Sequence, residues 1–217
     1  MSVDSDEEYQ LSDEAKKALA EFYAEQQKAE ASNEITENWQ LSQFWYTDDT
    51  SIRLAKECIA ACLQGAEENE IRRIACVSCP SVMEKLLQCE EVISGRIIPF
   101  LFEYDMRFAA KYGERFSFFD YNNQDMIDPK LIASFNLVIA DPPFLSDECQ
   151  LKTAVFVRRL LRQNGNTKLI LCTGATMETM AEKAFNARPT VFKPEHRNKL
   201  QNLFLSYTNY GEFLTSE

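Results

Sequence analysis

The stretch "FNLVIADPPFLSDE", from Phe135 to Glu148, joins an apolar run to an acid, two prolines and an aromatic residue. The apolar run predicts a buried strand, and the prolines end it because they cannot extend a hydrogen-bonded ladder. Each proline also restricts the residue before it to an extended conformation. Asp141 is therefore predicted to be held stiffly at the end of a strand, with Phe144 beside it. Asp and Pro are ordinary turn formers, so a plain strand-ending turn is the alternative.

Outward from this stretch, predicted strands alternate with predicted helices. Apolar runs predict strands at residues 71–77, 95–105, 115–122, 135–141 and 167–174. Helices are predicted at residues 50–63, 79–91, 106–113, 146–163 and 176–185, and a hairpin at residues 189–210. Gly65 is predicted to follow the first of these helices, and Ser81 and Glu84 to form a capping box. Such alternation is typical of a doubly wound, Rossmann-like α/β sheet that is mostly parallel and covered on both faces.

The domain organisation follows from the same pattern. Residues 36–217 are predicted to form one domain, with a C-terminal antiparallel hairpin. Residues 1–10 are predicted to be a disordered acidic tail, and residues 11–35 a helix and linker. The helix is predicted to pack on the main domain, and a mobile recognition arm is the alternative.

Composition restricts the class of protein and its partners. The chain has 217 residues, a net charge of −11 and seven cysteines, and no apolar run approaches the roughly 18 residues of a membrane span. An acidic N-terminus without an apolar core and cysteines inside apolar runs favour a cytoplasmic protein with reduced thiols. The excess of acids suits a basic protein surface better than a phosphate backbone.

Metal and redox chemistry are not predicted. Cys76 and Cys79 form a C-x-x-C pair, but no second pair or nearby histidine completes a metal site. The one histidine, His196, lies in a polar turn of the terminal hairpin and is predicted to be exposed.

Acids stand at the ends of several predicted strands. In doubly wound sheets, ligands bind beyond the carboxyl ends of the strands. A site is therefore predicted there, and its acids are Glu103, Asp105, Asp120 and Asp141.

The chain resembles the seven-β-strand class of S-adenosylmethionine-dependent methyltransferases over residues 36–217. The motif DPPF, residues 141–144, matches the (Asp/Asn)-Pro-Pro-(Phe/Tyr) motif that follows the fourth strand in amino-group methyltransferases of this class. The combination of SQFWY, FEYDMRF, DPPF and EHRNKLQNLF is similar to the eukaryotic elongation factor 1-alpha lysine methyltransferases, once described as N6-adenine DNA methyltransferases. The resemblance implies S-adenosylmethionine as cofactor and elongation factor 1-alpha as protein substrate.

The residues of DPPF fit the chemistry of amino-group methylation. Asp141 and the carbonyl of Pro142, in a turn stiffened by Pro143, can accept hydrogen bonds from an amino group. Phe144 can pack on a lysine stem or on a base, and its ring face can attract a developing cation. Because a nearby carboxylate favours the ammonium form of lysine, Asp141 is interpreted as an orienter and charge stabiliser rather than a strong base.

The cofactor-binding residues carry more alternatives. Glu103 is predicted to bind the ribose hydroxyls, with Asp105 either in that role or capping the next helix. The family normally has a glycine-rich loop after the first strand, whereas residues 76–81 contain no glycine. Ser78 and Ser81 are small, and Ser78 and the backbone amides at the start of the next helix are predicted to contact the cofactor there.

Two further pairs are predicted to contact the adenine and the cofactor cleft. Asp120 and Tyr121 are placed to meet the adenine, with a plain loop as the alternative. Trp45 and Tyr46 are predicted to line the cleft, with a role in the core as the alternative.

Protein-lysine N-methylation by a monomeric enzyme is the predicted function. DPPF orients an amino group on adenine as readily as on lysine. A DNA enzyme, however, needs a basic groove in which to hold the backbone and flip the base. N6-adenine methylation is the first alternative, and a catalytically inactive cofactor-binding module is the second.

Overall fold

The apolar strands form one sheet in this computed structural model, in the order β3-β2-β1-β4-β5-β7-β6. The strands are β1 Arg72–Val77, β2 Ile97–Glu103, β3 Phe116–Phe118, β4 Leu137–Ala140, β5 Lys168–Gly174, β6 Arg188–Pro189 and β7 Phe204–Thr208. Strands β1 to β5 pair in parallel, and β7 runs antiparallel to both β5 and β6. The predicted fold class, a seven-stranded Rossmann-like sheet with an antiparallel C-terminal hairpin, is confirmed.

The structure describes residues 35–124, 127–163, 165 and 167–215. The chain forms two units, residues 1–37 and residues 38–217, of which the second is the one described over most of its length. The predicted acidic tail and all but the last residue of the predicted N-terminal helix and linker lie outside the described residues.

Six α-helices occur in the described residues. They are α1 Asp48–Leu63, α2 Pro80–Leu86, α3 Glu90–Ile93, α4 Arg107–Tyr112, α5 Asp147–Leu160 and α6 Glu178–Phe185. Gly65 adopts a φ of 74° just after α1, as predicted from its left-handed preference. None of these helices is both long and apolar enough to span a bilayer.

Two helices differ most from the prediction. The helix predicted at residues 79–91 is two short helices, and the capping box is wrong because α2 begins at Pro80, whose fixed φ suits a first helical position. Ser81 therefore lies inside the first turn. Helix α5 ends at Leu160, where the chain becomes extended, and Leu161 forms an isolated bridge with Phe135, two residues before β4.

Both faces of the sheet are covered. Ala75 and Val77 of β1 belong to a buried cluster that includes residues of α5 and α6, and Phe156 of α5 packs edge-on against Phe102 with ring centroids 5.4 Å apart. The alternate residues of β1, Ile74 and Cys76, are also fully buried. Six of the seven cysteines are buried, and all seven are free.

The strand register brings three strand ends to one level. Val77 of β1 pairs with Phe102 of β2 on one side and with Ala140 of β4 on the other. The residues that follow these three positions are Ser78, Glu103 and Asp141, so the register gathers them at the carboxyl edge of the sheet.

Candidate functional site

A cavity of about 370 Å³ lies at this carboxyl edge. Its walls come from the strand ends, from the segment before α1 and from the loop before β7. Nine of the eleven residues predicted to form the site line it: Trp45, Ser78, Glu103, Asp120, Tyr121, Asp141, Pro142, Pro143 and Phe144. Asp105 and Tyr46 are not among the lining residues.

Glu103 lines the cavity, and its hydrogen bonds to described residues are all made by one carboxylate oxygen. Its Oε1 accepts hydrogen bonds from the backbone of Tyr104 at 3.1 Å, from the backbone of Asp105 at 3.3 Å and from Gln43 Nε2 at 3.3 Å. No described residue donates to Oε2, which leaves that oxygen available to a hydroxyl ligand. Burial raises the pKa of Glu103 to about 7, and the three hydrogen bonds act in the opposite direction.

Asp105 is occupied by its neighbours. It is 5% exposed, its Oδ1 accepts a hydrogen bond from the backbone of Arg107 at 2.9 Å, and its Oδ2 forms an ion pair with Arg107 at 2.6 Å. Burial raises the pKa of Asp105, but the hydrogen bonds and the charge of Arg107 lower it by more, so the net direction is downward. Of the two predicted alternatives, this arrangement fits a cap on α4 and leaves the cavity to Glu103.

Gln43 is a site residue that the sequence analysis missed. It is buried and lines the cavity, and its side-chain amide donates to both Glu103 and Asp105. The segment that contains it begins with a short 3-10 helix, Trp39–Leu41. A lone glutamine among aromatic residues gives no pattern that would have identified this contact.

The glycine-free loop adopts a conformation that glycine usually supplies. Ser78 has a φ of 56°, in the left-handed region, and its N–H donates to the carbonyl of Phe102 at 2.8 Å. Cys79 and Pro80 follow and lead into α2, so the backbone turns sharply past the cavity without a glycine.

Asp120 and Tyr121 stand on the cavity wall next to DPPF. The Asp120 carboxylate accepts from the backbone of Asn122 at 2.8 Å, which closes a tight turn. The ring of Tyr121 packs edge-on against Phe144, with centroids 5.8 Å apart. These two rings therefore form a continuous aromatic surface.

Asp141 extends the ladder of β4 into the cavity. Its N–H donates to the carbonyl of Val77 at 3.0 Å, which fixes the start of DPPF to the end of β1. Burial raises the pKa of Asp141 to about 7; the Tyr46 hydroxyl acts in the opposite direction, and the charge of Glu103 adds to the rise. The pKa of Asp141 therefore lies close to neutral pH, a shift that its position in the sequence does not predict.

The rest of DPPF is held by α5 and β5. Gln150, which is fully buried, donates to the carbonyl of Phe144 at 3.3 Å and to Thr173 Oγ1 at 3.0 Å. The Phe144 ring itself is 43% exposed. The backbone at Phe144 is therefore fixed while its ring faces the opening of the cavity.

Tyr46 and His196 pack against each other, and His196 lines the cavity. Tyr46 is 1% exposed, and its ring lies 4.8 Å from that of His196, centroid to centroid. The prediction that His196 is exposed is wrong: it is 8% exposed and lines the cavity. The polar turn folds inward because residue 196 bridges to residue 46, and burial lowers the pKa of the imidazole to about 4.

The charge of the lining is entirely acidic. Three acids, Glu103, Asp120 and Asp141, line the cavity, and no Lys or Arg appears among its described lining residues. The described residues also contain no cluster of three or more His, Cys, Asp or Glu side chains suited to a metal ion. Such a lining favours cationic or hydroxyl-bearing ligands over phosphates.

Comparison with known proteins gives a family match and close relatives. A family model described as "Probable N6-adenine methyltransferase" matches residues 37–212. EEF1A lysine methyltransferase 1 of Homo sapiens is 46% identical over 222 residues, which cover 98% of this chain and 97% of that protein. A protein-lysine N-methyltransferase of Caenorhabditis elegans is 41% identical over 213 residues, with 95% and 96% covered.

A solved structure shares the fold. A branched-chain polyamine synthase from Thermus thermophilus gives a TM-score of 0.52 at 13% identity, and the match covers 85% of this chain and 61% of that one.

Proposed function

The chain belongs to the family described as "Probable N6-adenine methyltransferase", and we propose that it is an S-adenosylmethionine-dependent protein-lysine N-methyltransferase that acts on translation elongation factor 1-alpha. The names of the relatives from Homo sapiens and Caenorhabditis elegans support lysine as the acceptor. The chain is aligned over nearly the full length of both relatives.

The acidic lining is the structural observation that carries the choice of acceptor. Three acids without a lining Lys or Arg attract a lysine side chain and repel a phosphate backbone. A base flipped from a duplex would bring phosphates to the rim of this cavity. A lysine on a basic protein surface meets no such repulsion.

The cavity fits the proposed cofactor. Its volume of about 370 Å³ lies within the range of small-molecule sites. Glu103 Oε2 would accept the ribose hydroxyls, and Asp120 and Tyr121 would bound the adenine. Ser78 and the backbone at the start of α2 would face the methionine end. When bound, S-adenosylmethionine supplies an electrophilic methyl group next to DPPF.

Asp141 and Phe144 form the acceptor end. Asp141 and the Pro142 carbonyl accept hydrogen bonds from the lysine amine and direct its lone pair. A lysine enters as an ammonium and has to lose one proton before it can attack. Because the pKa of Asp141 lies at about 7, its carboxylate can take that proton near neutral pH as well as orient the amine.

The test is methyl transfer to recombinant elongation factor 1-alpha with radiolabelled cofactor. We expect label on the elongation factor, and we expect Asp141→Ala to lower the transfer rate by about a hundredfold or more. Calorimetric titration with S-adenosylhomocysteine should give nearly the same affinity for the unmodified protein and for the Asp141→Ala variant. An absence of binding heat would contradict the assignment of S-adenosylmethionine as cofactor. Binding without methyl transfer to any cell extract would instead indicate a catalytically inactive cofactor-binding module.

N6-adenine methylation is the second candidate, and the description of the family favours it. A cell lysate incubated with the protein and labelled cofactor, with and without nuclease, separates the two. Label that disappears with nuclease, together with an unlabelled elongation factor, would establish adenine as the acceptor.

The protein is further proposed to act as a monomer in the cytoplasm, where a basic translation factor is accessible to it. Light scattering during gel filtration tests the first statement, and a tagged protein imaged in cells tests the second. A dimeric mass, or a signal confined to the nucleus, would contradict them.

A further inference from the structure

Tyr46 has a buried hydroxyl without a hydrogen bond. The side chain is 1% exposed, and its Oη does not meet hydrogen-bond geometry with any acceptor in the described residues. Leaving such a donor unpaired costs about 1–3 kcal/mol relative to a satisfied one. A phenylalanine would fill the same space without this cost, so the hydroxyl requires an explanation.

Two groups lie beside this hydroxyl, the Asp141 carboxyl and the Cys172 thiol, and an ionised carboxylate is the stronger hydrogen-bond acceptor of the two. The Tyr46 hydroxyl lies beside the Asp141 carboxyl, close enough for each group to influence the charge of the other. We propose that Tyr46 is a positioning residue for methyl transfer: its hydroxyl donates a hydrogen bond to the ionised Asp141 carboxylate and fixes one of the two carboxylate oxygens. The other oxygen is then free to face the substrate amine. This role rests on the proposed function.

The surroundings hold the Tyr46 ring in place for this task. Backbone hydrogen bonds on either side, from Thr47 to Glu195 and from Arg197 to Trp45, are both 2.9 Å long. The ring packs against the imidazole of His196, which in turn packs edge-on against Phe204 with centroids 4.6 Å apart. Because these contacts fix the ring, they hold the hydroxyl beside the Asp141 carboxyl.

Several other titratable groups also face Asp141, and each has to be accounted for. The thiols of Cys79 and Cys172 interact with it, and burial raises their pKa values so that both remain neutral near pH 7. Burial lowers the pKa of His196, which keeps the imidazole neutral as well. Glu103 is the one group facing Asp141 in the described residues whose pKa, at about 7, falls in the same range.

Tyr46→Phe removes the hydroxyl and leaves the ring. Without this donor the ionised carboxylate loses stabilisation, so the midpoint of the Asp141 titration should rise by about one pH unit. Carboxyl ¹³C NMR of the free protein measures this midpoint without any need for activity, and an Asp141→Asn spectrum assigns the signal. The midpoint of the Glu103 signal should move less than that of Asp141, because the Tyr46 hydroxyl acts on Asp141 directly and on Glu103 only through the Asp141 charge.

Tyr207→Phe is the matched control. Tyr207 is also fully buried with an unpaired hydroxyl, but it lies on β7 outside the cavity lining. This variant should leave the Asp141 midpoint unchanged, and thermal unfolding should show both variants folded. An unchanged midpoint in folded Tyr46→Phe would overturn the proposal.

Activity gives a second readout. In Tyr46→Phe the acidic limb of kcat/KM should move to higher pH by the same amount, so that activity below the midpoint falls roughly tenfold and recovers at alkaline pH. An equal loss at every pH would mean a structural role and would overturn the proposal. If no substrate is methylated at all, the proposed function fails, while the NMR titration still decides the role of Tyr46.

Discussion

Gln43 Nε2 donates a hydrogen bond to Glu103 Oε1 at 3.3 Å, although 60 residues separate the two in sequence. The same nitrogen donates to Asp105 Oδ2 at 3.2 Å. One buried amide thus ties the segment before α1 to the carboxylate proposed to bind the ribose. The orientation of Glu103 therefore depends on a residue outside the strands that form the sheet.

Gln43→Ala should weaken cofactor binding although Gln43 need not touch the ribose. Loss of a hydrogen bond to a charged group corresponds to about 1.5–3 kcal/mol, so the Kd for S-adenosylhomocysteine should rise by about tenfold or more. Calorimetric titration measures it. Gln88→Ala, an exposed glutamine outside the lining, should leave the Kd unchanged. A normal Kd in Gln43→Ala would mean that the backbone amides alone orient Glu103.

Glu103→Ala and Asp105→Asn should have separable effects. Glu103→Ala removes a carboxylate that lines the cavity, so we expect the Kd for S-adenosylhomocysteine to rise by at least about tenfold. Asp105→Asn weakens the ion pair with Arg107. Because the Arg107 side chain is 43% exposed, this ion pair contributes at most about 1 kcal/mol to stability.

Both variants are measured by calorimetry and by urea unfolding. The Asp105→Asn variant should bind S-adenosylhomocysteine with nearly the normal Kd. The reverse pattern, with weak binding in Asp105→Asn and normal binding in Glu103→Ala, would transfer the ribose role to Asp105.

Ser78 tests whether the loop needs a glycine. The left-handed backbone at Ser78 costs an L-residue about 1 kcal/mol of strain. A glycine there would remove this strain, but it would lose more conformational entropy on folding, and the two effects nearly cancel. Ser78→Gly should therefore change the free energy of unfolding by less than about 0.5 kcal/mol. Ser78→Val should lower it by more than about 1 kcal/mol, because a β-branched side chain resists positive φ. Urea unfolding of the two variants checks this, and equal stability of both would contradict the argued strain.

The sheet and much of the site follow from local sequence. Apolar runs ended by acids or prolines predict strands whose carboxyl ends meet at one edge, and Glu103 and Asp141 lie there as predicted. The pattern works because strand order and register are set by the same apolar residues that identify the strands.

The contacts missed by the sequence analysis are those made across long separations by single polar residues. Gln43 reaches Glu103, and His196 is drawn into the wall by pairing of its backbone with Tyr46. Neither residue belongs to a periodic pattern, so local sequence contains nothing that distinguishes it from an exposed polar residue. The raised pKa of Asp141 cannot be predicted from local sequence for a related reason, since it results from burial by segments that are distant in the sequence.

The pH dependence of stability should reveal the buried Asp141 carboxyl. Its pKa is about 7 in the folded state and about 4 in an unfolded chain. Between these values the folded state binds more protons, so the stability that Asp141 contributes is greatest below pH 4 and is lost as the pH rises through 7. From pH 5.5 to pH 7.5, Asp141 should lower the free energy of unfolding by an amount on the order of 2 kcal/mol.

Asp141→Asn removes this contribution, together with the part of the Glu103 titration that depends on the Asp141 charge. His196 acts with the opposite sign, because its pKa is lowered to about 4 and its contribution to stability is lost as the pH falls from about 6.5. That contribution is present in both proteins and cancels in their difference. Urea unfolding at pH 5.5, 6.5 and 7.5 should therefore show Asp141→Asn gaining stability relative to the parent as the pH rises. Glu182→Gln, at an exposed position on α6, should run parallel to the parent. If Asp141→Asn also runs parallel to it, the Asp141 carboxyl is solvated in the folded protein and is already ionised at pH 5.5.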